Sequence, residues 1–190
     1  MNTNDLPKVY YTITFLRGYI MLFMKRFVLT LLTLVFCLQI TSCSYTPPVS
    51  DVAVRLFELY PSSPPCSHYF KNSSNSPFGK ISREDFFFLY TGERKSIPEW
   101  DIIDDFYLIL SDTPSSFELH VIRAVSSSDV DEVKKLLDKR AELIRYHNKT
   151  ETSYPAYEPE VFVRGRYAVL AVTTDNHAVK LMMKKLLGGI

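Results

Sequence analysis

Cysteine is scarce in this 190-residue chain, which has three: Cys37, Cys43 and Cys66. Cys37 lies within an apolar N-terminal segment and Cys43 directly follows that segment, so Cys66 is left alone and a disulfide framework is excluded. A lone cysteine of this kind is either a reactive nucleophile or a partly buried loop residue. The four histidines share no metal-ligand spacing, and the sequence therefore predicts no metal site.

The best-marked catalytic motifs are also missing. The sequence has no Gly-rich phosphate loop, no Gly-x-Ser-x-Gly elbow and no His-Glu-x-x-His. No cofactor and no catalytic residue are predicted on this basis.

An excess of charge of one sign is likewise absent. The whole chain has a formal net charge of +1. From Cys43 onward, 18 lysines and arginines face 20 aspartates and glutamates, a net charge of −2. A nearly neutral domain lacks the basic face that nucleic acid requires, so nucleic acid is excluded as a partner.

The apolar run near the N-terminus, Phe27 to Leu38, is too short for a membrane span, which needs about 20 residues. Lys25 and Arg26 precede it, an order typical of a secretion signal. The Ile40-Thr41-Ser42-Cys43 stretch behind it resembles the lipobox of bacterial lipoproteins. We therefore expect cleavage between Ser42 and Cys43, diacylglycerol with palmitate-type chains on Cys43, and a location on the extracytoplasmic face of the cell membrane. An uncleaved signal anchor and a secreted protein with an accidental cysteine are the alternatives.

Four segments follow from this signal. Residues 1–23 fit no signal pattern and are interpreted as an upstream extension from a misplaced start codon, with Met24 rather than Met1 as the start. Residues 24–42 are the predicted lipoprotein signal peptide, residues 43–50 a tether, and residues 51–187 one domain. The tether from Ser44 to Ser50 spans at most about 25 Å when fully extended, which places the domain close to the lipid surface.

Apolar periodicity predicts the elements of the domain. Ser50 is the predicted cap of a first helix, Asp51 to Tyr60, and residues 61–80 are predicted to form a loop. Further helices are expected after Ser82, Asp129 and Asp175. Four strands are expected, in the segments Phe106–Leu110, Phe117–Val125, Val161–Val163 and Tyr167–Thr173. This order predicts an α+β fold: an antiparallel sheet of about four strands with helices packed on one face.

Three residues of the domain are candidates for chemistry. Glu118 and His120 point to the same face of one predicted strand, where they form either a general acid–base pair or a hydrogen-bonded or half-exposed strand face. Arg140 lies at the edge of the apolar stripe of its helix, where an unpaired guanidinium would be costly. It is therefore either a structural arginine bound to a carboxylate or carbonyl on the sheet, or a binding site for an anion or other ligand.

The loop with Tyr146, Tyr154 and Tyr157 is the remaining candidate. Its aromatic rings form either a stacking surface for glycans or peptides, or a cap folded back over the core.

Three segments resemble a known family: Asp101–Phe106, Phe117–Ala124 and Asp131–Arg140, with Gly165–Leu170 matching a late strand. In these stretches the chain is similar to an uncharacterised lipoprotein family of Firmicutes, domain of unknown function 4358. The resemblance covers about residues 50–187 and implies a Gram-positive lipoprotein with a single α+β domain. It implies no activity, substrate or catalytic residue.

Together these observations predict a membrane-anchored, non-enzymatic binding or accessory domain at the cell envelope, with an envelope protein or a glycan as partner. The alternative is a cell-envelope hydrolase whose site has no recognisable motif.

Overall fold

A computed structural model of the chain describes residues 23–28, 30, 46–71, 79–92, 100–113, 115–151 and 155–188. The chain divides into two compact units, Met1–Ser44 and Tyr45–Ile190. Of the first unit, residues 23–28 are helical, and the Thr30 hydroxyl donates to the Arg26 carbonyl at 2.7 Å. The predicted cleavage site at Ser42 and Cys43 lies outside the described residues.

The second unit has four helices and five strands within the described residues. The helices are α1 (Val49–Phe57), α2 (Arg83–Thr91), α3 (Val130–Thr150) and α4 (Asn176–Leu186). The strands are β1 (Cys66–Phe70), β2 (Ile103–Ser111), β3 (Glu118–Ala124), β4 (Glu160–Arg164) and β5 (Tyr167–Val172).

The strands form one antiparallel sheet in the order β1-β2-β3-β5-β4. The predicted α+β class and the antiparallel pairing are confirmed, with five strands instead of about four. The additional strand is β1, which lies in the segment that the sequence predicts as loop. All five of its residues are only partly buried, as expected for an edge strand next to a proline-rich segment.

The helices pack on both faces of the sheet, so the prediction that they share one face is wrong. One core cluster joins α2 and α3 to the sheet residues Phe106, Leu108, Ile122 and Leu170. The other joins α1 and α4 to Ile109, Leu119, Val121 and Val169 on the opposite face. The physical reason is visible in β5, where all six residues are buried, because a strand covered on both sides needs apolar residues at every position.

Helix ends follow their predicted caps only in part. Ser82 Oγ accepts from the Asp85 amide at 3.0 Å, Asp175 Oδ1 accepts from the Ala178 amide at 3.0 Å, and Gly92 ends α2 at a φ of 69°. Ser50, by contrast, lies inside α1, which begins at Val49 after Pro48. Asp129 precedes α3, but its carboxylate accepts from the Ser126 amide at 3.0 Å and leaves the helix amides uncapped.

Candidate functional site

A buried polar cluster crosses the interface between β3 and the helices α2 and α3. Its members are Glu118 and His120 from β3, Tyr90 from α2 and Arg140 from α3. Glu118 and His120 are two residues apart on one strand and therefore face the same side of the sheet, as the sequence predicts. This side carries the core of α2 and α3, so both residues lie beneath the helices, where the other members of the cluster reach them.

Arg140 forms a bidentate ion pair with Glu118. Its Nε donates to Glu118 Oε2 at 3.0 Å, and its Nη2 donates to Glu118 Oε1. Its Nη1 also donates to the Leu89 carbonyl of α2 at 3.2 Å. The side chains of Arg140 and Glu118 are only 18% and 12% exposed. The structural reading of Arg140, a guanidinium that ties its helix to a carboxylate on the sheet, is confirmed.

His120 is entirely buried and lies between Glu118 and Tyr90. Its Nδ1 is 2.8 Å from the Tyr90 hydroxyl, which is also fully buried. Its Nε2 is 3.1 Å from Glu118 Oε2, within reach but without the alignment of a regular hydrogen bond. A neutral imidazole fits these contacts: Nδ1 accepts from the tyrosine, and the Nε2 proton faces the carboxylate.

The charges of this cluster are set by burial and by the ion pair. Burial alone would raise the pKa of Glu118, but the interaction with His120 and the charge of Arg140 outweigh it, so the pKa falls from 4.5 to about 2. Burial lowers the pKa of His120 and raises the pKa of Tyr90. At neutral pH the cluster therefore holds one ion pair, a neutral histidine and a neutral tyrosine.

The exposed edge of Arg140 borders an open groove, which we call the Arg140 groove. Its volume is about 500 Å³, in the size range of small-molecule and side-chain pockets. Most of the lining is apolar, with Lys80, Asp85 and His147 at the rim. The apolar lining residues are Tyr69, Ile81, Phe88, Leu89, Leu110 and Leu143.

Of the predicted tyrosine surface, Tyr157 packs against the core. Its amide donates to Ser116 Oγ at 2.6 Å, and its carbonyl accepts from Asn148 Nδ2 at 2.9 Å. Tyr146 is 65% exposed, and Tyr154 lies outside the described residues. Of the two predicted alternatives, Tyr157 therefore adopts the one in which the loop folds back over the core.

The sequence does not point to Tyr90, the fourth member of the cluster. Tyr90 ends the run Phe86-Phe87-Phe88-Leu89-Tyr90, which looks like a purely apolar helix face. Only the packing of α2 against β3 shows that its hydroxyl meets His120. The sequence signal that could have indicated Tyr90 is the presence of a tyrosine at the end of an apolar run, shortly before the glycine that ends the helix.

The described residues contain neither a cluster of metal ligands nor a membrane-spanning helix. In the described ranges, no three side chains of His, Cys, Asp or Glu come together as ligands for a metal ion. Cys66 is partly buried, and its Sγ donates to the Pro64 carbonyl at 3.1 Å. None of the helices described is both long and apolar enough to cross a bilayer.

Comparison with known proteins adds no relative. Neither a family model, nor a curated protein, nor a solved structure matches this chain. The resemblance to the lipoprotein family of Firmicutes therefore stays a prediction from the sequence.

Proposed function

We propose that this protein is a lipoprotein anchored through Cys43 to the extracytoplasmic face of the cell membrane, and that its domain binds an envelope partner in the Arg140 groove without catalysing a reaction. The observation that carries the proposal is the contrast between the groove and the polar cluster behind it. The groove is open and mostly apolar, whereas His120 and Tyr90 are fully buried.

This contrast favours binding over hydrolysis. A general base must come within about 3 Å of the atom that bears the proton it removes. His120 is enclosed by the sheet, α2 and α3, and its Nδ1 faces the tyrosine hydroxyl. Glu118 is held in the ion pair with Arg140. A cell-envelope hydrolase using these groups would have to open the core to reach its substrate.

The groove suits an apolar side chain of a protein partner. Phe88, 48% exposed, stands at its edge with the partly buried Leu89 and Leu143 beside it. Aromatic residues at the edge of a pocket are frequent anchors of protein interfaces. The mixed charges of Lys80 and Asp85 at the rim add polar contacts without selecting a strongly charged ligand. A glycan stacking on Phe88 is the alternative partner.

The binding proposal is tested by replacing Phe88 with aspartate in the anchored protein. We expect recovery of the partner cross-linked in membranes to fall about tenfold or more, because a charge in the apolar lining removes an anchor residue. The matched control is Val54→Asp on α1, since Val54 is 44% exposed on the opposite face of the sheet. Denaturation midpoints of both variants verify that each is folded. Equal recovery from both folded variants would rule out the groove as the binding site.

The anchor is tested separately by mass spectrometry of the native N-terminus. We expect wild-type protein and the control Cys66→Ala to begin at residue 43 and to carry acyl chains. The Cys43→Ala variant should lack that mass and be released from the membrane or mislocalised. Two acyl chains hold a protein stably on a bilayer, at about 0.8 kcal/mol per buried methylene. An intact wild-type N-terminus at Met1 or Met24 would contradict the lipid anchor.

A further inference from the structure

A second groove lies between β4 and α4, on the face of the sheet opposite the Arg140 groove. We call it the β4–α4 groove; its volume is about 480 Å³. Its rim is basic, with Arg164 from β4 and Lys180 and Lys184 from α4. Among the described residues that line it, none is an aspartate or a glutamate. The groove therefore concentrates positive charge on a domain that carries a net charge of −2 after Cys43.

The basic side chains of this groove are available for contact. Arg164, Lys180 and Lys184 are all exposed, and none forms an ion pair with another residue in the described part of the chain. Lys180 Nζ lies 5.7 Å from the centre of the Phe162 ring, which holds the ammonium group over the groove. The three cations are thus exposed, and no carboxylate among the described residues forms an ion pair with them.

Exposed apolar side chains lie next to these cations. Leu181 is 55% exposed and Val163 is 40% exposed, and both line the groove. Lysines and arginines beside exposed aliphatic side chains are the pattern of surfaces that lie in the interface of an anionic bilayer. The basic groups bind phosphate oxygens there, and the apolar groups enter the boundary with the acyl chains.

The end of the sheet that carries Arg164 is also the end at which the chain enters the domain. The Pro47 carbonyl accepts from the Tyr167 hydroxyl, and from Arg123 Nη1 at 3.3 Å. Tyr167 is the direct partner of Arg164 in the β4–β5 register. Cys43 is four residues before Pro47, a distance of about 14 Å at most along an extended chain. A lipid on Cys43 would keep this end of the sheet near the bilayer.

The direction of α4 brings its basic residues to the same end. Asn176 Nδ2, at the start of α4, donates to the Glu158 carbonyl at 2.6 Å, just before β4 begins. The helix then runs along β4, so its last turn, with Lys184, lines the same groove as Arg164. Strand and helix together present one basic surface at the anchored end of the domain.

We propose that the β4–α4 groove binds the headgroups of anionic phospholipids in the membrane that holds the anchor. Arg164, Lys180 and Lys184 donate to the lipid phosphates, and Leu181 and Val163 insert beside them. Each basic residue near an anionic surface contributes about a fivefold gain in membrane affinity. The inference rests on the anchoring proposed above, and it leaves the Arg140 groove, on the other face of the sheet, to the partner.

Amine footprinting on vesicles tests this contact. The acylated protein that begins at Cys43 is reconstituted on vesicles of phosphatidylcholine alone, or with about 30% phosphatidylglycerol. It is then treated with a water-soluble acylating reagent. We expect Lys180 and Lys184 to react at least threefold more slowly on the anionic vesicles, with the protection lost in high salt. Lys139 and Lys149, exposed on α3 at the other face, are the matched controls and should react equally on both vesicles.

The outcomes of this experiment distinguish failure of the contact with lipid headgroups from failure of the anchor at Cys43. Flotation with both kinds of vesicle, together with equal reaction of Lys180 and Lys184 on both, overturns the lipid contact and leaves the anchor intact. Failure to float with phosphatidylcholine vesicles overturns the anchor and, with it, this inference. Protection that depends on protein concentration instead of lipid charge would show that the edge strand β4 pairs with a second copy, which also contradicts the proposal. The double variant Lys180→Glu/Lys184→Glu should still float with both kinds of vesicle. Hydrogen exchange at residues 160–166 should, in this variant, be the same with and without phosphatidylglycerol in the vesicles.

Discussion

Replacement of Arg140 by alanine is expected to lower the free energy of unfolding by about 3–5 kcal/mol, because it leaves the Glu118 carboxylate buried without its partner. The geometry is that of a buried, hydrogen-bonded pair. Two guanidinium nitrogens bind the two carboxylate oxygens, and a third donates to the Leu89 carbonyl. Loss of Arg140 therefore removes these hydrogen bonds from α3 to β3 and α2, while the apolar packing of α3 remains.

The matched control is Lys139→Ala, which changes the neighbouring residue on the exposed side of the same helix. Its effect should be about 0.5 kcal/mol or less, as is usual for an exposed position. Urea denaturation of both variants gives the comparison, and Glu118→Gln completes a double-mutant cycle that isolates the pair. Equal midpoints for Arg140→Ala and Lys139→Ala would mean that the arginine is exposed in solution and free to contact a ligand or a lipid headgroup.

Acidification is expected to destabilise the domain in two steps, and Glu118 accounts for the step at lower pH. Its pKa is about 2 in the folded protein, against 4.5 as the usual value. Because the folded pKa is depressed, the stabilising contribution is present above about pH 4.5 and is lost as the pH falls toward 2. The difference corresponds to about 3 kcal/mol.

Protonation linked to His120 also lowers the stability of the domain, and it does so at a higher pH than that of Glu118. Burial lowers its pKa below 6.5 in the folded protein, so the unfolded chain takes up a proton first as the pH falls. The contribution of neutral His120 to the free energy of unfolding is therefore present above about pH 6.5 and decreases below that value. The Glu118 carboxylate limits the loss, because its charge favours the protonated imidazole.

Denaturation curves between pH 7 and pH 2 measure both steps. Glu118→Gln should remove the dependence below pH 4.5, and His120→Gln should flatten the curve between pH 7 and pH 5. Glu142→Gln, which changes an exposed carboxylate on the outer side of α3, should leave the profile of the wild type. If Glu118→Gln and Glu142→Gln gave the same profile, the buried ion pair would not be the source of the acid sensitivity.

Local signals predicted the helices of the domain, but not the two faces of the sheet on which they pack. The Ser82 and Asp175 caps form the predicted bonds, and the apolar stripe of α3 faces the sheet. Arg140 was also predictable, because a guanidinium at the edge of such a stripe must find an acceptor. The identity of that acceptor was not predictable, since Glu118 lies 22 residues before Arg140 and meets it only through packing.

The sequence did not predict the edge strand β1, because this strand also depends on contacts with a distant segment. Its residues, Cys66-Ser67-His68-Tyr69-Phe70, show no alternation of apolar and polar side chains. Pairing with β2 provides the order that the local sequence does not, from Cys66 opposite Ser111 to Phe70 opposite Tyr107. An edge strand depends on its neighbour more than on its own propensity.

By itself, the sequence determined the helices, four of the five strands, their antiparallel pairing and the need to neutralise Arg140, because period and capping are local properties of the chain. Only the tertiary structure decided which faces of the sheet are covered, which carboxylate binds Arg140, and that Tyr90 and His120 meet in the core. The same packing placed Arg164 and Lys184 in the lining of one groove. These are contacts between residues distant in the sequence, and their free energy exists only once the sheet and both helix layers have assembled.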